Sequence, residues 1–221
     1  ATPPPRRHTA GTGETVWPLA RLRQRMTDGS AADAADDPLA FLAANPDLPV
    51  DLALDLLAMD TQNPPGATDE LTAWVAEAFE SMGIATEIVA VDPAKPNLLA
   101  TLPGETDEVL CFNGHLDTVP YDADAWDHDP LGTRDGDRLY GRGATDMKGA
   151  VAAMLATVRA YVETDTQPPV TLLFALVSDE ETGGDAGLPA LLAGDHLDAD
   201  ACVIGKPTCE QGRHYVTVAD R

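Results

Sequence analysis

The chain has 221 residues, 44% of them hydrophobic, which suits one sizeable α/β domain and excludes disorder as the default state. Acids outnumber bases 37 to 14, for a formal charge of −23, and that sign excludes nucleic acid and an anionic membrane as partners, since both need basic patches. The acids are scattered and only three bases are lysines (Lys95, Lys148, Lys206); such a surface repels itself in dilute salt and is screened at molar salt, so a halophilic, cytoplasmic protein is expected.

Residues 1–35 are rich in Pro, Arg, Ala and Asp without an apolar signal-peptide core, and are expected to be a disordered extension before a domain over 36–221. "DDPLAFLAANP" predicts a short helix capped by Asp36 or Asp37, with Pro38 at its first position. "VDLALDLLAMD" predicts a second helix over about 50–60, ended by "NPPG". Thr68 or Asp69 caps a third, where Leu71, Trp74, Val75, Ala78, Phe79 and Met82 form one apolar stripe up to Gly83. Trp74 and Phe79 in that stripe read as core rather than as a ligand platform.

Strands are expected at 85–91, 97–102 and 108–112, a long helix at 147–162, and a continuous apolar strand at 170–177. "GLPALLAG" reads as a short helix and "DADACVIG" as another buried strand; a last strand-like run begins near His214. Strands alternating with helices predict an α/β fold, a mostly parallel sheet with helices on both faces. Cys111 and Cys202 lie in apolar runs and read as small core residues. Three cysteines without metal-ligand spacing fit a reducing cytosol.

A parallel sheet presents ligands beyond the carboxyl ends of its strands. There the sequence places His115 and Asp117 after one strand, Asp146 at the mouth of the long helix, and Ser178, Asp179, Glu180 and Glu181 after another. If these ends converge, several carboxylates surround one imidazole, and only a cation relieves their repulsion. An imidazole among carboxylates suits zinc better than magnesium or calcium. Asp117, two residues beyond His115, is placed to accept the other ring N–H and fix the tautomer. Of the adjacent Glu180 and Glu181, one can ligate while the other acts as a general base. Gly141 and Gly143 of "GRGA" let the backbone approach the site.

Singly, each feature has a plainer meaning. His115 alone is a satisfied buried histidine, "DEE" an acidic loop, and Asp146 a helix cap. His128, with Asp122, Asp124, Asp127 and Asp129, reads as a solvated loop. "GRGATDMKG" is not a phosphate loop, and no GxSxG elbow is present. A metal-independent hydrolase would need Ser178 as nucleophile, and no histidine stands beside it in sequence.

"GHLDTVP", "WDHDPLGTRDGDRLYGRGATDMKGAVAAML" and "SDEETGG" together resemble the M20 co-catalytic zinc amidohydrolases and peptidases: acetylornithine deacetylase, succinyl-diaminopimelate desuccinylase, aminoacylase-1, carboxypeptidase G. The resemblance runs from about Val50 to Thr208 and implies hydrolysis of the amide bond of an N-acyl amino acid or small peptide. It implies two Zn2+ per site, with Co2+ or Mn2+ as substitutes. His115 would ligate one zinc, Asp146 would bridge both, and Glu181 would ligate the second. Asp117 would support His115, Glu180 would be the base, and the Asp146–Met147 peptide would be cis.

The resemblance further implies that 36–221 is the N-terminal portion of a catalytic domain. A lid domain, a late histidine ligand and the surface of a homodimer would belong to the full-length form. The family glutamate of "GEPT", a ligand to the first zinc, is here Lys206 in "GKPT", and an ammonium cannot ligate. His196 and His214 are the remaining candidates for a replacement ligand. The alternative is therefore an inactive, metal-poor fragment or binding remnant in which Lys206 serves as an internal cation.

The charge pattern yields a first prediction. Thermal melting should shift upward from low to molar KCl, and a flat response would remove the salt-adaptation reading.

Overall fold

The computed structural model describes residues 37–207, 209–210 and 213–214. The expected extension and the cap at Asp36 lie outside them. Helix α1 (Pro38–Ala44) begins where Asp37 accepts the Leu39 N–H at 2.9 Å, with Pro38 in the first turn as predicted. Helices α2 (Leu48–Leu57) and α3 (Asp69–Ser81) follow. The predicted stripe of α3 is buried from Leu71 to Phe79, and the helix ends against Gly83. Thr68 stands at its N-cap, yet its hydroxyl bonds Ser178 instead of capping.

Strands β1 (Ala85–Val89), β2 (Asn97–Leu102) and β3 (Val109–His115) lead to the small hairpin β4 (Thr133–Asp135) and β5 (Arg138–Tyr140). Helix α4 (Lys148–Glu163), β6 (Thr171–Val177), α5 (Leu188–Ala193) and β7 (Ala201–Ile204) complete the layered part. The short strands β8 (Cys209–Glu210) and β9 (Arg213–His214) pair as a separate ribbon, and the strand-like run expected onward from His214 lies outside the described residues.

The main sheet has the order β1-β2-β6-β3-β7. β6 runs parallel to β3 and β3 parallel to β7, whereas β1–β2 and β2–β6 are antiparallel. The sheet is thus mixed rather than mostly parallel. The turn from 90 to 96 is too short for the crossover that a parallel β1–β2 pair would need. Helices cover both faces. Side chains of α2, α3 and α4 share one core with Leu98, Ala100, Phe174 and Leu176, and Leu191 of α5 packs on the other face with Leu99, Cys111 and Ala175.

Two expectations change at the edges. β3 runs past Phe112 to His115, because its pairing with β6 continues as far as His115 opposite Val177. β7, read as a buried strand, is an edge strand exposed throughout, with Ile204 58% accessible. Cys202 is exposed with it, so of the two cysteines read as core only Cys111 is buried. Apolar composition cannot tell a central strand from an edge strand.

Phe174 is nearly inaccessible, its ring centroid 5.5 Å from those of both Phe79 and Phe112, so it joins β6 to β3 and α3. Phe174→Ala should cost about 3–5 kcal/mol of unfolding free energy, read as a lower denaturant midpoint; a loss below about 1 kcal/mol would contradict this packing.

Candidate metal centre

Parallel pairing in register brings the ends of three strands to one level. His115 lies opposite Val177, so Leu116 and Asp117 emerge beside Ser178–Glu181. Asn113 lies opposite Ile204, so Gly205 and Lys206 emerge on the other side of β3, and Gly205 N–H donates to the Asn113 carbonyl at 3.1 Å. The start of α4 reaches this level because β3 carries Gly114, where a Cβ would meet Met147 Cε at 2.9 Å. Asp146 is thereby set beside the end of β3. The Asp146–Met147 peptide is cis, as the resemblance implied.

The predicted residues meet. His115 Nε2 lies 2.9 Å from Asp146 Oδ1 and 3.7 Å from Glu180 Oε2. Ligand atoms of His115, Glu180 and Glu181 all fall within 4.8 Å of one another. Lys206 enters the same cluster, its Nζ donating to Asp146 Oδ1 at 2.9 Å, Asp146 Oδ2 at 3.1 Å and the Glu180 carboxylate at 3.2 Å. An imidazole and adjoining carboxylates on this spacing fit a divalent ion by donor type and distance. His196 lies elsewhere, paired with Glu87 at 3.2 Å. The side chain of His214 lies outside the described residues.

Asp117 does support His115, but not as expected. Nδ1–H donates to the backbone carbonyl of Asp117 at 2.9 Å, and the carboxylate stands at 3.6 Å. That carboxylate is engaged elsewhere: it accepts the N–H groups of Glu180 and Glu181, each at 3.1 Å, and Asn63 Nδ2 at 2.8 Å. Asp117 therefore holds the acidic turn as well as the histidine.

Asn63 was not legible as a site residue, because "NPPG" reads only as a helix stop. Its amide also reaches Asp179 Oδ1 at 3.0 Å, and Lys95 pairs with the same carboxylate. These contacts hold Asp179 in a left-handed conformation, φ 61°, which turns the chain so that Glu180 and Glu181 face the cluster. Lys148, read simply as a helix residue, is buried and donates to the Met59 carbonyl at 2.6 Å. Of the two glycines expected to admit the backbone, Gly143 adopts φ 90° against Thr118 and Lys148, while Gly141 packs on Leu57 away from the site. His128 stacks on Tyr140 at 4.0 Å instead of lying free in solvent.

Electrostatics follow from this geometry. Burial disfavours the His115 cation, but the Asp117 and Asp146 acceptors and the Glu180 charge outweigh it and raise the pKa. Burial would raise Asp146, yet Lys206 and His115 hold it below the usual carboxylate range. Burial raises Glu181. Burial pushes the Lys148 ammonium down to about 8, against the charges of Asp60 and Asp117. Ser178 is fully buried with its hydroxyl committed to Pro96 O and Thr68, which removes it as a nucleophile. A cavity of about 370 Å³ opens beside the cluster, lined by Met147, Leu188, Pro189 and Ile204 as well as by His115 and Lys206.

Comparison with known proteins gives a consistent result. The profile of Peptidase family M20/M25/M40 matches residues 111–219. Succinyl-diaminopimelate desuccinylase of Gluconobacter oxydans is 40% identical over 172 residues, covering 74% of this chain and 43% of the relative. Acetylornithine deacetylase of Aliivibrio salmonicida is 37% identical over 135 residues, covering 61% and 35%. The crystal structure of human carnosine dipeptidase 1 superimposes with a TM-score of 0.65 at 25% identity, covering 84% of this chain and 40% of that one. The chain spans less than half the length of each of these three proteins.

Asp117 supplies a pH test. Burial opposes its ionisation, but His115, Asn63 and the two turn N–H groups bring its pKa down from 3.8 to about 2. A folded value below the unfolded one stabilises the fold above pH 3.8, and that contribution is lost as pH falls toward about 2. In the metal-free chain, Asp117→Asn should remove about 2 kcal/mol of the pH dependence of unfolding in that window. An unchanged acid limb would show that the turn is held by something else.

Proposed function

Because residues 111–219 match the profile of Peptidase family M20/M25/M40 and the chain resembles its desuccinylases, we propose that its cluster at the ends of β3 and β6 is part of a hydrolase active centre. The reaction is cleavage of an amide bond in an N-acyl amino acid or small peptide. The observation that carries this reading is the convergence of His115, Glu180 and Glu181, whose ligand atoms lie within 4.8 Å of one another, with Asp146 of a third segment 2.9 Å from His115. The names of the two curated relatives, a desuccinylase and a deacetylase, support removal of an acyl group.

His115, Asp146 and Glu181 would hold a divalent ion, zinc by preference, with Co2+ or Mn2+ as substitutes. When bound, such an ion polarises a carbonyl and acidifies a water. Glu180, partly exposed at the mouth of the cluster, takes a proton from the attacking water and delivers it to the leaving amine. Asp117 positions both parties, fixing the His115 ring through its carbonyl and the Glu180–Glu181 turn through its carboxylate. The largely apolar cavity beside Glu180 accommodates the acyl group or the side chain of the substrate. A cytoplasmic, salt-rich setting belongs to the same reading and is supported by the charge of −23.

The test is zinc-loaded protein assayed in high salt against N-succinyl and N-acetyl amino acids and dipeptides. Chelation should abolish turnover. Glu180→Gln should lower kcat by about 10²–10⁴-fold while leaving the metal content unchanged. Turnover that survives chelation overturns the reading, and absence of both metal uptake and hydrolysis leaves the binding-remnant alternative in its place.

A further inference from the structure

We infer that the ammonium of Lys206 occupies the place of one metal ion, so that this site takes one divalent ion rather than two. The inference rests on the metal-binding reading above and concerns only how many ions the cluster accepts. Both oxygens of Asp146 lie within 3.1 Å of Lys206 Nζ, and one of them also lies 2.9 Å from His115 Nε2. Asp146 can meet one ion in exchange for the His115 contact. It cannot meet a second while Lys206 keeps its position. The same ammonium holds Glu180 Oε2 at 3.2 Å, the oxygen that also lies 3.7 Å from His115 Nε2.

Charge leads to the same count. Asp117, Asp146, Glu180 and Glu181 carry four negative charges and Lys206 one positive, a sum of −3 around a neutral His115 ligand. One divalent ion brings the cluster to −1. A second would bring it to +1, with a half-buried ammonium pressed against two dications. Contacts to both oxygens of Asp146 and to Glu180 hold the Lys206 ammonium in that place. Replacing Lys206 by glutamate changes the local charge by two units, the charge of one divalent ion, and adds an oxygen donor where a donor to nitrogen stood.

Metal counting tests this without recourse to turnover. The chain is loaded with Zn2+ in molar KCl, passed over a chelating resin that removes weakly held ions, and its zinc per chain is measured by atomic emission. The wild type and Lys206→Arg should retain one equivalent, and Lys206→Glu two. Melting in chelator gives an independent readout. Lys206→Met should melt below the wild type without metal, because the carboxylates then lose the charge of the ammonium, and zinc should raise its midpoint more than it raises that of the wild type. A wild-type count other than one, or a count that Lys206→Glu leaves unchanged while circular dichroism reports a folded chain, overturns the inference. Zero equivalents in both proteins removes the metal-binding reading as well.

Discussion

Everything at this site depends on the register between β3 and its two parallel neighbours. Parallel strands end on the same side of a sheet, and the pairing of His115 with Val177 and of Asn113 with Ile204 sets those ends level. Three loops then have no choice but to meet. A slip of one residue would turn His115 to the opposite face and send the acidic turn past Asp117. The register is itself fixed by burial. Cys111, Leu173 and Ala175 must face one core, and Phe174 and Leu176 the other. The same apolar alternation that folds the sheet therefore aims the polar residues beyond it.

Bringing carboxylates together costs energy, and much of the surrounding structure is devoted to supporting that arrangement. Asp117 is inaccessible and carries a charge, an arrangement sustained by two backbone N–H groups, the Asn63 amide and the nearby imidazole. Asp179 is likewise ionised, with Lys95, Asn63 and Thr182 as partners. Neither aspartate is among the groups to which we assign the chemistry. Their task is to hold Glu180 and Glu181 in place, so that these two meet His115 with less of their charge compensated. A site organised this way concentrates unsatisfied negative potential at one spot, which is what a cation requires.

Residues with a local signature could be read from the sequence. The stripe of α3 and the apolar runs of β2 and β6 follow from periodicity alone, and His115, Asp117 and Asp146 stood out as polar residues just after apolar strands or just before a helix. What escaped was whatever depends on a partner distant in the chain. Asn63 reaches Asp179 across 116 positions, and nothing near "NPPG" announces it. The choice of the Asp117 carbonyl over its carboxylate for His115 depends on how tightly the chain turns after β3. The exposure of β7 depends on what lies beside it, which composition does not encode. The mixed sheet was in principle visible, since the linker from 90 to 96 could have been judged too short for a crossover.

The cluster can be viewed as one electrostatic problem with interchangeable answers. In the metal-free chain both His115 nitrogens face acceptors, a backbone carbonyl and a carboxylate, which favours a second proton on the ring. That proton sits where a metal ion would sit, and it can leave. The ammonium of Lys206 is a cation too, but it is tethered to the chain. Its charge is independent of any supply of metal, and its three N–H donors satisfy Asp146 and Glu180 without presenting a lone pair. A proton and an ammonium thus hold the carboxylates together before any ion arrives. Of the two, only the proton can leave the cluster, so an ion arriving at the shared oxygens would exchange with it and not with the tethered ammonium.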